Sequence, residues 1–267
     1  MNQEQPNIVV SDRPPVKRWG LWLLIPLLAG IAVLFEFSLE WKESLQIQRI
    51  VVEGARNVSA QEIFALAKLP ASAPMFGVDL YGVEQRILGH AFVKSAAIER
   101  QYPDALRISI VERVPIASVN AGKMWYVDRE GVFMPHGQAM KLDLPVITGL
   151  EGVDRVQAGS KLSSNDLLQA IDLLKTAQSI DSSVYHFISE VNMKGGGNIT
   201  LFSSEAGIPI LIGRGDIARK LVLLQTFWSN FVKAENTEKL QYIDLRFDDQ
   251  IVVKWNQQEH STTKAAL

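Results

Sequence analysis

The pattern of hydrophobic positions along the chain is dominated by one long apolar run near its beginning. Every residue from Trp19 to Phe35 is apolar, Gly or Pro, and Trp41 follows shortly after. A helix continued to Trp41 reaches roughly 35 Å, which exceeds the thickness of about 30 Å of a bilayer core. Tryptophan near both ends suits the two membrane–water interfaces. The pattern therefore predicts a single transmembrane helix over residues 19–39.

The charges that flank this run predict its orientation. Cations precede the run and mostly acids follow it: Arg13, Lys17 and Arg18 before, then Glu36, Glu40, Lys42 and Glu43 after. Basic flanks stay in the cytoplasm, so residues 1–18 are predicted to be a cytoplasmic tail and the remainder of the chain to lie across the membrane. A cleaved signal peptide is the alternative, with Gly30 and Ala32 as a small-residue pair, but apolar residues continue directly after them.

Residues 46–115 carry the pattern of a small α+β domain. Ser59 and Glu62 form a capping box that starts a helix directly after the first strand. The predicted order is strand, helix, helix, strand, strand: Gln46 to Glu53, a helix from Ser59, Leu80 to Leu88, Val93 to Arg100, and Leu106 to Val114. Such an order places both helices on one face of a sheet.

Residues 116–256 change to short alternating strands and predict a mixed β-rich domain with two helices. The expected strands are Ala117 to Asn120, Trp125 to Val127, Val132 to Met134, Ile188 to Met193, Asn198 to Ser203 and Pro209 to Ile212. The helices are expected near Asn165 to Gln178 and from Ile217 to Phe231, where apolar residues recur every three or four positions. The polar tail at 257–267 is predicted to be disordered. The fold class is α+β.

The last strand pair has the clearest alternation. Ile243, Leu245 and Phe247 are expected on the buried face, with Tyr242 and Asp244 opposite. Asp248 to Gln250 form the turn. Ile251, Val253 and Trp255 then share one face of the final strand, which is expected at a sheet edge with unpaired backbone groups that a partner strand can complete.

Composition and residue types exclude several chemistries. The 267 residues carry a net charge of −2, which favours no nucleic-acid partner, and the absence of cysteine excludes disulfides. The four histidines, His90, His136, His186 and His260, have no metal-ligand spacing. Asp244, Asp248 and Asp249 are expected to be solvated charges. No catalytic residue, metal or cofactor is predicted.

Five sequence stretches together carry a resemblance to a known family. They are IQRIVVEGARNVSAQEI from Ile47, RQYPDALRISIVERVPIA from Arg100, WYVDREGVFM from Trp125, LPVITG from Leu144 and YIDLRFD from Tyr242. With the apolar run before them, they make the chain resemble the FtsQ/DivIB family of bacterial cell division proteins. The resemblance implies a tail, a membrane anchor, a POTRA domain at 46–115 and a periplasmic β domain at 116–256.

The resemblance also implies a function without catalysis. Members of the FtsQ/DivIB family are scaffolds of the division complex in the inner membrane. Their C-terminus is periplasmic, and they are concentrated at the septum. They link earlier proteins, through the POTRA domain, to FtsB and FtsL, and FtsB adds a strand to the final strand. The binding residues implied here are Phe247, Asp249, Gln250, Ile251, Val253 and Trp255.

The residues themselves also allow other interpretations of this edge and of the protein's function. Phe247 and Trp255 could simply pack in the core, and Lys254 could guard the edge against indiscriminate strand pairing. A POTRA-type chaperone for envelope polypeptides would use the same edge physics. An anchored cell-wall hydrolase would need acids such as Asp128, Glu130 or Asp244.

Overall fold

The computed structural model describes residues 19–70, 72–137, 142–153, 155–194, 198–232, 239–247 and 250–255. The predicted tails at 1–18 and 257–267 lie outside these residues. The helices are α1 Trp19–Ser44, α2 Ala60–Ala67, α3 Leu80–Leu88, α4 Asn165–Ile180, α5 Ser182–Phe187 and α6 Ile217–Phe227, the last followed by a π-helical turn at Trp228–Val232. The strands are β1 Arg49–Glu53, β2 Val93–Gln101, β3 Ala105–Glu112, β4 Pro115–Ala121, β5 Lys123–Asp128, β6 Phe133–Pro135, β7 Val146–Thr148, β8 Ile188–Asn192, β9 Ile199–Ser203, β10 Pro209–Gly213, β11 Leu240–Asp244 and β12 Val252–Trp255.

Helix α1 occupies the apolar run and continues past it to Ser44, with Pro26 inside it. The side chains described along it, at positions 24–38 and at Trp41, are exposed. Among the residues whose side chains the structure describes, which in α1 are those just named, no helix is both long enough and apolar enough to cross a membrane.

Three strands form one sheet, in the spatial order β1, β3, β2. Along the chain the order of elements is strand, helix, helix, strand, strand, as predicted. The capping box that starts α2 is formed as predicted. Ser59 Oγ accepts the Glu62 N–H at 3.1 Å, and the Glu62 carboxylate accepts the Ser59 N–H at 3.0 Å. One face of α2 and α3 is buried through Ile63, Ala67, Val83 and Ile87.

The remaining strands form one nine-stranded sheet in the order β12, β11, β10, β9, β8, β7, β4, β5, β6. Pairs β4·β7, β7·β8 and β10·β11 are parallel, and the others are antiparallel. Alternate side chains from one face of the sheet pack with α4, α5 and α6 into a single large core, whose fully buried members include Phe133, Ile147, Leu201 and Ile243.

Two elements of this sheet domain differ from the sequence prediction. Helix α5 is a third helix where two were expected, and β7 was not predicted as a strand. Both are very short, with six and three residues. Because a period cannot be recognised over so few positions, only the surrounding tertiary contacts define them.

The described residues fall into two compact units whose segments interleave along the chain. The first unit takes its residues from the segments Met1–Ile50, Leu69–Val78 and Arg100–Leu106. The second takes them from Val51–Lys68, Asp79–Glu99 and Arg107–Leu267.

A buried carboxylate organises the turn after β5 within the second unit. Asp128 is 4% exposed, and its Oδ1 accepts the N–H groups of Glu130 and Val132, each at 2.9 Å. Its Oδ2 accepts from the Arg113 guanidinium at 2.7 Å. Arg113 follows β3, so this carboxylate ties the end of the three-stranded sheet to the tip of the β5–β6 hairpin.

Candidate protein-interaction edge

The two edges of the nine-stranded sheet differ in what lies against them. At the β6 edge the chain covers itself, because Phe133 N–H donates to the Ser160 carbonyl at 2.9 Å and Gly159 N–H donates to the Phe133 carbonyl at 2.8 Å. At the other edge lies β12, which pairs with β11 and, among the described residues, with no other strand. As predicted, the last strand is therefore at an edge, and it is the one that exposes a backbone ladder.

Strand β12 pairs antiparallel with β11, and its side chains alternate between the two faces. Val253 and Trp255 lie half-buried against the main core, as does Ile251 just before the strand. Val252 and Lys254 are exposed on the opposite face. Trp255 lies opposite Leu240, and Val253 lies opposite Ile243. The predicted common face of Ile251, Val253 and Trp255 is therefore confirmed.

Phe247 does not lie on the buried face that alternation predicted. Strand β11 ends at Asp244, and the Phe247 side chain is 54% exposed. Leu245 is still buried, whereas Gln250 is exposed. Asp249 lies outside the described residues. The interpretation of Phe247 as a plain core residue is thus wrong.

The strand ends early because Asp244 folds the following backbone onto its own side chain. Its carboxylate accepts the Arg246 N–H at 3.0 Å and binds the guanidinium through Nε at 2.9 Å and Nη2 at 2.6 Å. Gly213 makes room for this arginine, since a Cβ at Gly213 would lie 2.8 Å from Arg246 Cγ. A local hydrogen bond of this kind competes with continuation of the strand.

Asp244 was expected to be a solvated charge, and this expectation is wrong, because the residue is only 4% exposed. The hydrogen bond from Arg246 lowers the pKa of the Asp244 carboxyl and outweighs its desolvation. A lysine adds to this effect, since Lys220 on α6 also lowers that pKa. Lys220 is itself buried and donates to the Ile212 carbonyl at 2.9 Å.

This lowered pKa predicts a pH dependence of stability. The folded-state pKa of Asp244 is below its unfolded value, so its contribution is complete above a pH of about 4 and is lost as the pH falls through the folded pKa. We expect Asp244→Asn to lower the melting temperature at pH 7, and this difference from the wild type to shrink as the pH approaches 3. Thermal melts from pH 7 to pH 3 measure it; a difference independent of pH would contradict the assignment.

Lys254 is the exposed cation of the edge. Its Nζ lies 5.9 Å from the centroid of the Tyr242 ring, the residue opposite it on β11. An exposed lysine on an edge strand disfavours indiscriminate pairing because its charge must be accommodated by the incoming strand. Its proposed role as a guard of the edge stays a prediction.

The acids considered for hydrolytic chemistry have structural partners instead. Glu130 is paired with Lys94 at 2.6 Å and with Arg113 at 3.2 Å, and the hydrogen bond from Lys94 lowers the pKa of the Glu130 carboxyl. A carboxyl held deprotonated in this way is poorly suited to act as a general acid. Over the described ranges, no three His or acidic side chains come together as a possible metal site.

Two features of the edge were not predicted from the sequence. Val252 is 39% exposed and lies on the face of β12 that points away from the core. Arg246, next to Phe247 in the chain, is held in place by its hydrogen bonds to Asp244. The spacing Asp-x-Arg after a strand is the signal that could have indicated the early strand end, because an aspartate accepts a backbone N–H two residues later.

Comparison with known proteins gives similarity along most of the chain. Residues 45–113 match the family model described as POTRA domain, FtsQ-type, and residues 114–254 match the one described as FtsQ/DivIB, C-terminal related. The cell division protein FtsQ of Rhodothermus marinus is 31% identical over 96% of both chains. That of Geotalea daltonii is 34% identical over 78% of this chain and 75% of the relative. That of Escherichia coli is 27% identical over 88% and 83%.

Proposed function

The chain belongs to the FtsQ/DivIB family of bacterial cell division proteins, and from this premise we propose that it is a non-catalytic scaffold of the division complex. In this role it links upstream division proteins, through its POTRA domain, to FtsB and FtsL. The contacts are made by protein surfaces in the periplasm and need no cofactor.

The observation that carries this proposal is the difference between the two sheet edges. Residues 159–161 of the chain cover β6, whereas the described residues leave β12 open. An open edge supplies N–H and C=O groups to a partner strand, and the adjacent side chains set which strand fits. The proposed partner is FtsB, which adds to β12.

The side chains around β12 offer an apolar site for that strand. Ile251, Val253 and Trp255 are half-buried, so part of each ring or branched chain is still available to a partner. Phe247 is exposed in the connection that follows β11, and Gln250 is exposed later in the same connection. Asp249 completes the proposed contact set from the same connection. Tryptophan is among the residue types enriched in interface hot spots, which places Trp255 first among these side chains.

The anchor completes the proposed placement. We assign the membrane span to the apolar run Trp19 to Phe35 within α1, with the N-terminus cytoplasmic and the C-terminus periplasmic. The protein then holds β12 in the periplasm, fixed to the inner membrane at the division septum. The helix is supported as a span by the interfacial tryptophans and the basic residues before it.

A fluorescent fusion tests the division role directly. In dividing cells of a strain depleted of its own family member, the full-length fusion is expected to form a band at mid-cell and to restore division. FtsB and FtsL should co-purify with it from detergent-solubilised membranes. An even distribution around the cell, together with binding of denatured outer-membrane barrel peptides, would instead favour the chaperone alternative.

A further inference from the structure

The segment that follows α1 pairs at once with the loop before α3. Met75 N–H donates to the Leu45 carbonyl at 2.8 Å, and Ile47 N–H donates to the Ala73 carbonyl at 2.9 Å. Between them Gln46 and Pro74 form an antiparallel bridge. Since Leu45 is the first residue after the helix, these bonds hold the loop directly beside the end of α1.

Large aromatic side chains are exposed at this place. Phe76, next to the bonded Met75, is 45% exposed, and Tyr102 is 61% exposed, with the two ring centroids 5.9 Å apart. Trp41, about one turn before the end of α1, is 59% exposed. We call Phe76 and Tyr102 the aromatic surface. They and Trp41 belong to the same compact unit of the fold.

Arg100 fixes the way in which Phe76 is presented. Its Nε donates to the Met75 carbonyl at 2.7 Å, and its Nη2 donates to the Val78 carbonyl at 3.0 Å. The guanidinium also lies 5.9 Å from the centroid of the Phe76 ring. Two bonds to the backbone on either side of Phe76 hold the loop in one shape, so the exposure of this ring is built into the structure.

The length of α1 places the aromatic surface at a defined depth. With 26 residues the helix is about 39 Å long, against a hydrocarbon core of about 30 Å and a bilayer of about 40–45 Å including headgroups. If Trp19 lies in the near headgroup layer, as its indole ring favours, the helix ends within the far headgroup layer. Tryptophan and tyrosine concentrate at that level because their rings combine an apolar body with a polar group, and phenylalanine is common on the membrane-facing side of interfacial helices.

We propose that the aromatic surface lies in the periplasmic headgroup layer of the membrane crossed by α1. The ligand is a phospholipid surface, contacted by Phe76 and Tyr102 in addition to the helix itself. This second contact holds the loop 72–78 against the bilayer. The inference rests on the proposed membrane span.

Single-cysteine spin labels test this contact in the full chain, which has no cysteine of its own. The variants Phe76→Cys and Tyr102→Cys are labelled with a nitroxide and reconstituted in vesicles of phosphatidylethanolamine and phosphatidylglycerol. The measured quantity is the rate of label collisions with oxygen, which dissolves in lipid, divided by the rate of collisions with a water-soluble nickel chelate. We expect this ratio at positions 76 and 102 to be several-fold higher than at the control label, Phe247→Cys. Adding Phe76→Ser to the Tyr102→Cys variant should lower the ratio at position 102.

A label at Leu28→Cys, in the middle of the apolar run, distinguishes failure of the proposed lipid contact from failure of the proposed membrane span. If this label is in lipid while those at 76 and 102 are as accessible to nickel as the control, the contact is refuted and the anchor stands. If the label at 28 is also accessible to nickel, the span fails and the contact fails with it. Thermal melts of each variant verify that the labelled proteins are folded.

Discussion

A proline on the open side of β12 is expected to weaken the binding of FtsB strongly while leaving the protein folded. Neighbouring N–H groups of a strand point to opposite sides. One of the two variants Val252→Pro and Val253→Pro therefore removes an N–H donor from the open side of β12, and the other removes a hydrogen bond to β11. The variant that blocks the open side should lose about 2–4 kcal/mol of binding, or roughly 30- to 1000-fold in Kd. Its thermal melt should stay close to that of the wild type.

The measurement is a binding titration of the full-length protein in detergent with FtsB, alongside co-purification from membranes. Val252→Thr is the matched control, because threonine keeps the N–H group and the β-branched shape and should bind as the wild type does. Wild-type affinity for both proline variants would exclude strand addition at this edge.

Trp255 is less suitable for separating binding from stability. Its side chain is half-buried against the core and lies opposite Leu240 on β11. Truncation to alanine therefore removes packing within the protein as well as any contact with a partner. Phe247 is the better aromatic for this purpose, since it is 54% exposed and its loss should weaken binding with little effect on the melt.

Asp128→Ala is expected to lower the free energy of unfolding by about 3 kcal/mol, the largest effect predicted for a polar residue in this chain. Removal of this buried carboxylate leaves the N–H groups of Glu130 and Val132 without their acceptor. It also leaves the Arg113 guanidinium, whose side chain is only 16% exposed, without its closest anionic partner. Removing the closest anionic partner of a largely buried guanidinium and the acceptor of a buried N–H group costs far more than loss of a surface ion pair.

Chemical unfolding of the wild type and of two variants measures this effect. Asp172→Ala is the matched control, because Asp172 forms an ion pair with Lys175 on the surface of α4 and its side chain is 75% exposed. We expect the control to change stability by about 0.5 kcal/mol or less. Similar losses in both variants would show that Asp128 does not hold the turn in the way inferred.

Features of the chain with a long or strongly marked local pattern were predictable from the sequence. The capping box of Ser59 and Glu62 starts α2 as expected, and the apolar spacing of α4 and α6 gave both helices. The alternation of Ile251, Val253 and Trp255 gave the face of the last strand correctly. In each case the residues that define the element are close in sequence, so a period of two or 3.6 positions is sufficient.

The behaviour of Phe247 and Asp244 was not predictable in the same way. Alternation places Phe247 on the buried face, but the bonds from Arg246 to Asp244 end the strand first. Burial of Asp244 depends on neighbours from β10 and α6, which are distant in sequence. A local pattern contains no information about such neighbours.

The sequence by itself determined the fold class, the order of most elements, the apolar run and the family, because each depends on local periodicity or on continuous motifs. Only the tertiary structure decided the strand order of the nine-stranded sheet, with β4, β7 and β8 paired in parallel. It also decided that residues 159–161 cover β6 and that the described chain leaves β12 open. These features arise from backbone hydrogen bonds between segments far apart in the chain, and such bonds are almost independent of the side chains that a sequence displays.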